Sequence, residues 1–169
     1  MKYVFKPHNA IFPKLFLKEK RRLEEQLGDK AVIEHVGSSA VPNLGGKGII
    51  DIAIGAKRKS FKEISKALKE LGYEFKPNAG VEKRLFFQTK RPDPLEKERL
   101  YHVHLTDISG EEWKRMLAFR GYLRIHPEDV RAYAKAKKNA ADASNQDKDT
   151  YMGIKDPVIK AILKKALKK

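Results

Sequence analysis

The chain has 169 residues, with 37 Lys and Arg against 22 Asp and Glu and a formal net charge of +15. That length suits a single domain over residues 1–169 with a sizeable core; the absence of Cys excludes disulfides and thiolate metal sites, and no apolar run approaches the roughly 18 residues of a membrane span. The positive excess fits phosphorylated or polyanionic partners, or merely a solvated basic surface; without a stripe of Arg interleaved with aromatics a nucleic-acid partner is not favoured, and without a signal-like start the expected location is the cytoplasm.

In chain order, apolar Ile11, Phe12, Leu15, Phe16, Leu23 and Leu27 recur at helical spacing and stop at Gly28, which predicts an amphipathic helix over 10–27. Short apolar runs then predict strands at 31–36 and 49–55. Ser60 is placed to cap a helix whose Phe61, Ile64, Leu68 and Leu71 share one face, with Gly72 ending it. Two more strands are expected at 84–89 and 99–105, joined by a charged loop from Arg91 to Glu98 that reads as a mobile flap. Ser109 and Glu112 have the spacing of a capping box before Trp113, Met116, Leu117 and Tyr122. Pro127 starts a further helix, and the last is expected to begin at Asp156-Pro157. The reading is an α/β (α+β) fold: a mixed sheet flanked by helices, with the C-terminal helices closing a cleft.

Chemistry concentrates where the first two strands meet. The run Ile33 to Ser39 reads as a buried strand ending in a Gly37-Ser38-Ser39 turn, whose backbone N–H groups and hydroxyls suit phosphate oxygens, while Ser38 or Ser39 suits equally a cap of the turn into a short helix. Asp51 lies within the apolar run from Ile49 to Ile52, where a carboxylate is costly unless a cation or hydrogen-bond donors satisfy it. Period-two alternation puts Ala53 on the same strand face as Asp51, so a methyl group and not a second carboxylate stands beside Asp51 on that strand. Glu34, Glu74 and Glu82 are the nearest other acids in sequence. His102 and His104 share one face of their strand while Tyr101, Val103 and Leu105 take the other. That pair fits a general base or, with Asp51, a divalent-metal site in which imidazole favours Mn or Zn over Mg; a buried structural pair fits equally well. Lys47, on a glycine-rich loop, and Arg84 and Arg120 are candidates to hold phosphate, against an exposed lysine and internal ion pairs. His35 is expected to pack rather than react. Tyr133, Lys137, Tyr151 and Lys155, at helical spacing, read first as a packed seam with solvated lysines and second as a basic aromatic rim.

The stretch HVGSSAVPNLGGKGIIDI (35–52), the blocks Arg84 to Phe87 and His102 to Leu105, and the run from Phe119 to Glu128 together resemble the GrpB-like (glutamate-rich protein) family, over about residues 10 to 165. Tyr133, Lys137, Tyr151 and Lys155 fall where that family's C-terminal helices carry Tyr and Lys. The resemblance implies a nucleotidyltransferase-superfamily fold and, weakly, a role near coenzyme A metabolism. Asn43 and Gly48, where the pattern has Gly and Pro, and Gly121, where it has Asp, depart from it. Two classes of function follow. One is a metal-assisted enzyme transferring a nucleotidyl or phosphoryl-linked group; the other is a module that binds a nucleotide, a coenzyme A precursor, another phosphate-bearing molecule or RNA without turnover.

Overall fold

The computed structural model describes residues 3–80 and 83–168. Five strands form one mixed sheet: β1 (Ala31–Val36), β2 (Ile50–Ala56), β3 (Glu74–Phe75), β4 (Arg84–Pro92) and β5 (Glu98–Asp107), in spatial order β1-β2-β5-β4-β3. Only β2 and β5 run parallel; the other three pairings are antiparallel. Helices α1 (Phe12–Leu27) and α2 (Phe61–Glu70) cover one face, while α3 (Glu111–Ile125), α4 (Pro127–Ala143) and α5 (Lys148–Leu167) gather on the other.

The alternation of each strand decides which residues meet which layer. Ile52 and Ile54 of β2, Val103 and Leu105 of β5 and Phe87 of β4 turn toward Phe12, Phe16 and Leu23 of α1 and Ile64 and Leu68 of α2. Burying each such side chain contributes about 1.5–3 kcal/mol, so this layer holds most of the hydrophobic stabilisation. The opposite residues, Asp51, Ala53, His102 and His104, face the C-terminal helices, where apolar packing is confined to patches. Trp113 of α3 lies so close to β2 that a Cβ on Gly55 would come within 2.9 Å of its ring. A second patch joins Val41 and Leu44 to Leu123, Val130, Tyr133 and Ile162.

Four local expectations need correction. The loop between β4 and β5 is not a free flap, because the strands extend to Pro92 and from Glu98, and what remains is pinned. Arg99 grips Asp93 through two hydrogen bonds of 2.6 and 2.9 Å and donates to the Gly48 carbonyl at 2.7 Å, while Lys6 pairs with Glu96 at 2.5 Å. The capping box of Ser109 and Glu112 does not form: Gly110 stands at the helix start without a side-chain cap, and Glu112 pairs with Arg84 and Arg115. Ser60 likewise makes no capping hydrogen bond. The last helix begins at Lys148, because the Asp147 carboxylate accepts from the Thr150 N–H at 2.9 Å and starts it there, leaving Pro157 inside.

Candidate functional site

Strand register builds the site. Val36, Asp51, His102 and Gln88 lie in one row across β1, β2, β5 and β4, and Glu34, Ala53, His104 and Phe86 fill the next. Because β2 and β5 are neighbours in register, both imidazoles reach the same carboxylate. His104 Nε2 is 3.3 Å and His102 Nδ1 3.5 Å from Asp51 Oδ1. Phe86 packs edge-on against both rings, with centroids at 4.7 and 5.3 Å. Burial alone would raise the Asp51 carboxyl, but the hydrogen bonds and charge of His102 and His104 outweigh it and hold the group well below the usual carboxylate range. Asp51 is therefore an acceptor at every physiological pH.

Gly37 brings the turn against that carboxylate. It sits at φ 74°, and a Cβ there would come within 2.6 Å of Asp51 Oδ2, so only glycine permits the approach. Ser38 lines the cleft beside it, close to Gly46 and to the Lys137 ammonium. Ser39 turns away: it is 1% exposed, and its hydroxyl lies 2.9 Å from His35 Nε2 while that imidazole stacks on Phe16. Contrary to expectation, Ser39 therefore supports the turn from within the core and does not face the cleft. His35 packs as expected, and its burial lowers the imidazole to about 4.

The cleft has two chambers that share Gly37, Asp51 and Tyr133. The smaller, about 190 Å³, is lined by Ser38, Lys47, His102, Lys137, Tyr151 and Lys155 in addition. The larger, about 440 Å³, is walled by Met116, Phe119, Ile159 and Leu163, with His104, Arg84, Glu112 and Arg115 as its polar members. Lys47 reaches over the stacked rings of Tyr3 and Tyr151, and Lys155 lies 4.8 Å from the Tyr151 centroid. Burial lowers the Lys155 ammonium, Lys47 adding to the effect. Burial and then Lys155 lower Lys137 to about 7, with Asp51 opposing and Lys47 adding. Three lysines thus face one chamber that holds a single carboxylate.

The remaining candidates divide. Arg84 lines the larger chamber with its Nη1 3.5 Å from Glu112, and its Nε is buried without a partner. Arg120 is not a phosphate ligand but takes the internal ion-pair alternative: it donates to Glu34 at 2.8 Å and to the His35 carbonyl at 2.9 Å. Glu34 stands directly across from Ala53, so an acid does flank the vacant position, but Arg120 engages it. Glu74 is at the far strand, exposed and paired with Lys76, and Glu82 lies outside the described residues. Tyr133, Lys137, Tyr151 and Lys155, ranked behind the others in the sequence, belong to the site. Their signal was the repeated Tyr-x-x-x-Lys spacing, which puts an aromatic and a cation on one helix face in both α4 and α5.

Among the described residues no group of three or more His, Cys, Asp or Glu side chains is arranged to hold a metal ion. The facing nitrogens of both imidazoles approach Asp51 itself, and three lysines border the same chamber, so these side chains as arranged do not fit a divalent cation.

A family model described as GrpB protein matches residues 3–165. The chain belongs to the GrpB family. It is 35% identical over 163 residues to the UPF0157 protein PA4798 of Pseudomonas aeruginosa, covering 95% of this chain and 66% of that one. It is also 32% identical to the UPF0157 protein YqkA of Bacillus subtilis, covering 90% of this chain and 44% of the relative. The chain therefore spans about two thirds of the first relative and under half of the second. The crystal structure of the conserved protein GrpB from Enterococcus faecalis superposes with a TM-score of 0.83 at 30% identity, covering 97% of each chain. The GrpB likeness thus takes in both layers of the fold and the whole cleft. Two of the departures from the family pattern have local explanations. Asn43 keeps a left-handed φ of 67°, which Asn tolerates, and Gly48 at φ 75° adopts a conformation closed to proline while its carbonyl accepts from Arg99. No helix among the described residues is long and apolar enough to cross a membrane.

Proposed function

We propose that this GrpB-family chain binds the phosphate end of a small molecule or nucleotide in the smaller chamber. One observation carries the reading: Lys47, Lys137 and Lys155 line that chamber together with Ser38 and the Gly37 turn, facing a single carboxylate already held by two imidazoles. Placing the ammonium groups of partly buried Lys47 and Lys155 beside buried Lys137 costs desolvation and mutual repulsion, and an anion relieves both. Ser38 and the turn then supply neutral donors, while Arg84 and the apolar wall of the larger chamber meet the rest of the ligand. Nucleotides and coenzyme A precursors are the ligands of first choice.

A second reading, transfer of a nucleotidyl or phosphoryl-linked group, is favoured by the pairing of Asp51 with His102 and His104. A carboxylate that stays ionised can orient an imidazole to take a proton from an attacking hydroxyl, so these residues would act as a base beside the bound phosphate.

The test is a thermal-shift titration with inorganic phosphate, pyrophosphate, nucleotides and coenzyme A precursors, each with and without Mn, Zn and Mg. A ligand selective for the folded state raises Tm by mass action. Phosphate-bearing ligands are expected to stabilise the wild type and to lose most of that effect in the Lys47→Ala, Lys155→Ala double variant. Equal stabilisation of both proteins, or none of either, overturns the proposal. Stabilisation that requires a metal and vanishes in Asp51→Ala would show that the site is a cation site instead.

A further inference from the structure

Lys137 differs from the two lysines that share its chamber. It is 7% exposed, and among the described residues it forms no salt bridge; its Nζ lies 4.9 Å from the centroid of the Tyr133 ring. The groups that face it come from three directions. Lys155 and Tyr151 project from α5, Lys47 from the loop before β2, and Asp51 and His102 from the sheet. Two of these are cations that disfavour a third positive charge, and the one carboxylate is committed to imidazoles. A primary amine kept free of carboxylate partners, screened from water and opening onto a cavity has the surroundings of a nucleophile, since only the unprotonated amine carries a free electron pair.

We propose that Lys137 is a nucleophilic amine that condenses with the carbonyl carbon of a phosphate-bearing aldehyde or ketone, a reading that rests on the phosphate site described above. Lys47, Lys155 and Ser38 anchor the phosphate and Lys137 meets the carbonyl. The Nζ electron pair forms the new bond to carbon as the carbonyl π pair moves onto oxygen. Both amine protons end on that oxygen, His102 being placed in the same chamber to relay them, and the oxygen leaves as water as the C=N bond forms. No oxidant or further reactant is needed. Burial is the foremost cause holding Lys137 near neutrality, and it persists when a phosphate neutralises the neighbouring cations. At pH 7 an exposed lysine with the ordinary value of about 10.4 is unprotonated to less than about one part in 1,000. Lys137, lowered to about 7, presents a large fraction of free amine at the same pH.

Pyridoxal phosphate is the probe, with pyridoxal as its phosphate-free counterpart. After brief exposure at neutral pH, borohydride reduction fixes any imine as a secondary amine, and peptide mapping locates it. Lys135 and Lys138, exposed on the same helix, serve as internal references. The expected result is labelling of Lys137 at least about ten-fold faster than either reference, suppressed by inorganic phosphate, much weaker with pyridoxal and lost in Lys137→Arg. Labelling of Lys137 no faster than Lys138 overturns the proposal. So does equal labelling by pyridoxal, which would remove the phosphate from the ligand class. Inorganic phosphate that raises Tm while Lys137 stays unreactive would leave the phosphate site standing and sink this inference alone.

Discussion

The two faces of the sheet are built from alternate residues of the same strands, yet they differ in kind. Under α1 and α2 the sheet shows Ile52, Ile54, Val103, Leu105 and Phe87, closed against two amphipathic helices. On the other side it shows Asp51, His102 and His104, bordered by α4 and α5 with three lysines aimed inward. One face concentrates stability, and the other holds charges that a stable core would exclude. A domain can carry a costly arrangement of like charges when the opposite face of the same sheet stabilises it independently. Polar groups that enter the stable face are matched there: the His35 imidazole stays neutral and stacked on Phe16, bonded to the Ser39 hydroxyl, and buried Glu19 of α1 accepts from the Tyr73 hydroxyl and pairs with Arg91.

Substitutions on the two faces should therefore separate stability from binding. The largest effect is expected from Leu105→Ala, which removes a fully buried side chain from the α1/α2 layer. A loss of about 2–5 kcal/mol is expected in urea unfolding, with the affinity of the remaining folded protein for phosphate unchanged. If ligand affinity fell in proportion, the two faces would not be independent.

The next effect concerns pH. His35 titrates near 4 when folded, because burial disfavours its cation, and near 6.5 when unfolded. The unfolded chain binds the proton first, so this contribution is fully present above about pH 6.5 and is lost as pH falls toward 4, on the order of 3 kcal/mol in all. Unfolding free energies measured across that window should decline in the wild type and flatten in His35→Phe. An unchanged slope in the variant would assign the decline to other groups.

The smallest stability effect belongs to the cleft. Gly37→Ala forces a Cβ into the Asp51 carboxylate at a positive φ, at a cost of about 1–3 kcal/mol. Its consequence for binding should be larger, because the turn must move away from Asp51 and take Ser38 with it. Isothermal titration with pyrophosphate is expected to show at least a ten-fold weaker Kd, about 1.4 kcal/mol. Native affinity in this variant would mean that the turn does not touch the ligand.

How much of this was legible varies with the range of the interaction. Asp51 stood out because a carboxylate in an apolar strand needs partners, and the His102-Val103-His104 alternation announced a shared face. The five-stranded order and the parallel β2–β5 register that make them partners needed the assembled sheet. Ser38 and Ser39 were indistinguishable in sequence, since adjacent turn residues diverge by backbone rotation alone; one lines the cleft and the other holds His35 in the core. Arg120 was drawn to phosphate by its type, whereas the structure engages it with Glu34, 86 positions away.

The sequence by itself determined four of the five strands, the first two helices, the glycine turn and the family, because these rest on period-two and 3.6-residue patterns and on ordered local blocks; the two-residue β3 is too short to carry such a pattern. Only the tertiary structure decided that Lys47, Lys137 and Lys155 converge on the chamber beside Asp51. They come from a loop and two different helices, and no local pattern encodes where three separate elements will point once the core has packed. Electrostatic proximity between distant residues depends on the closed fold, and so did the character of this site.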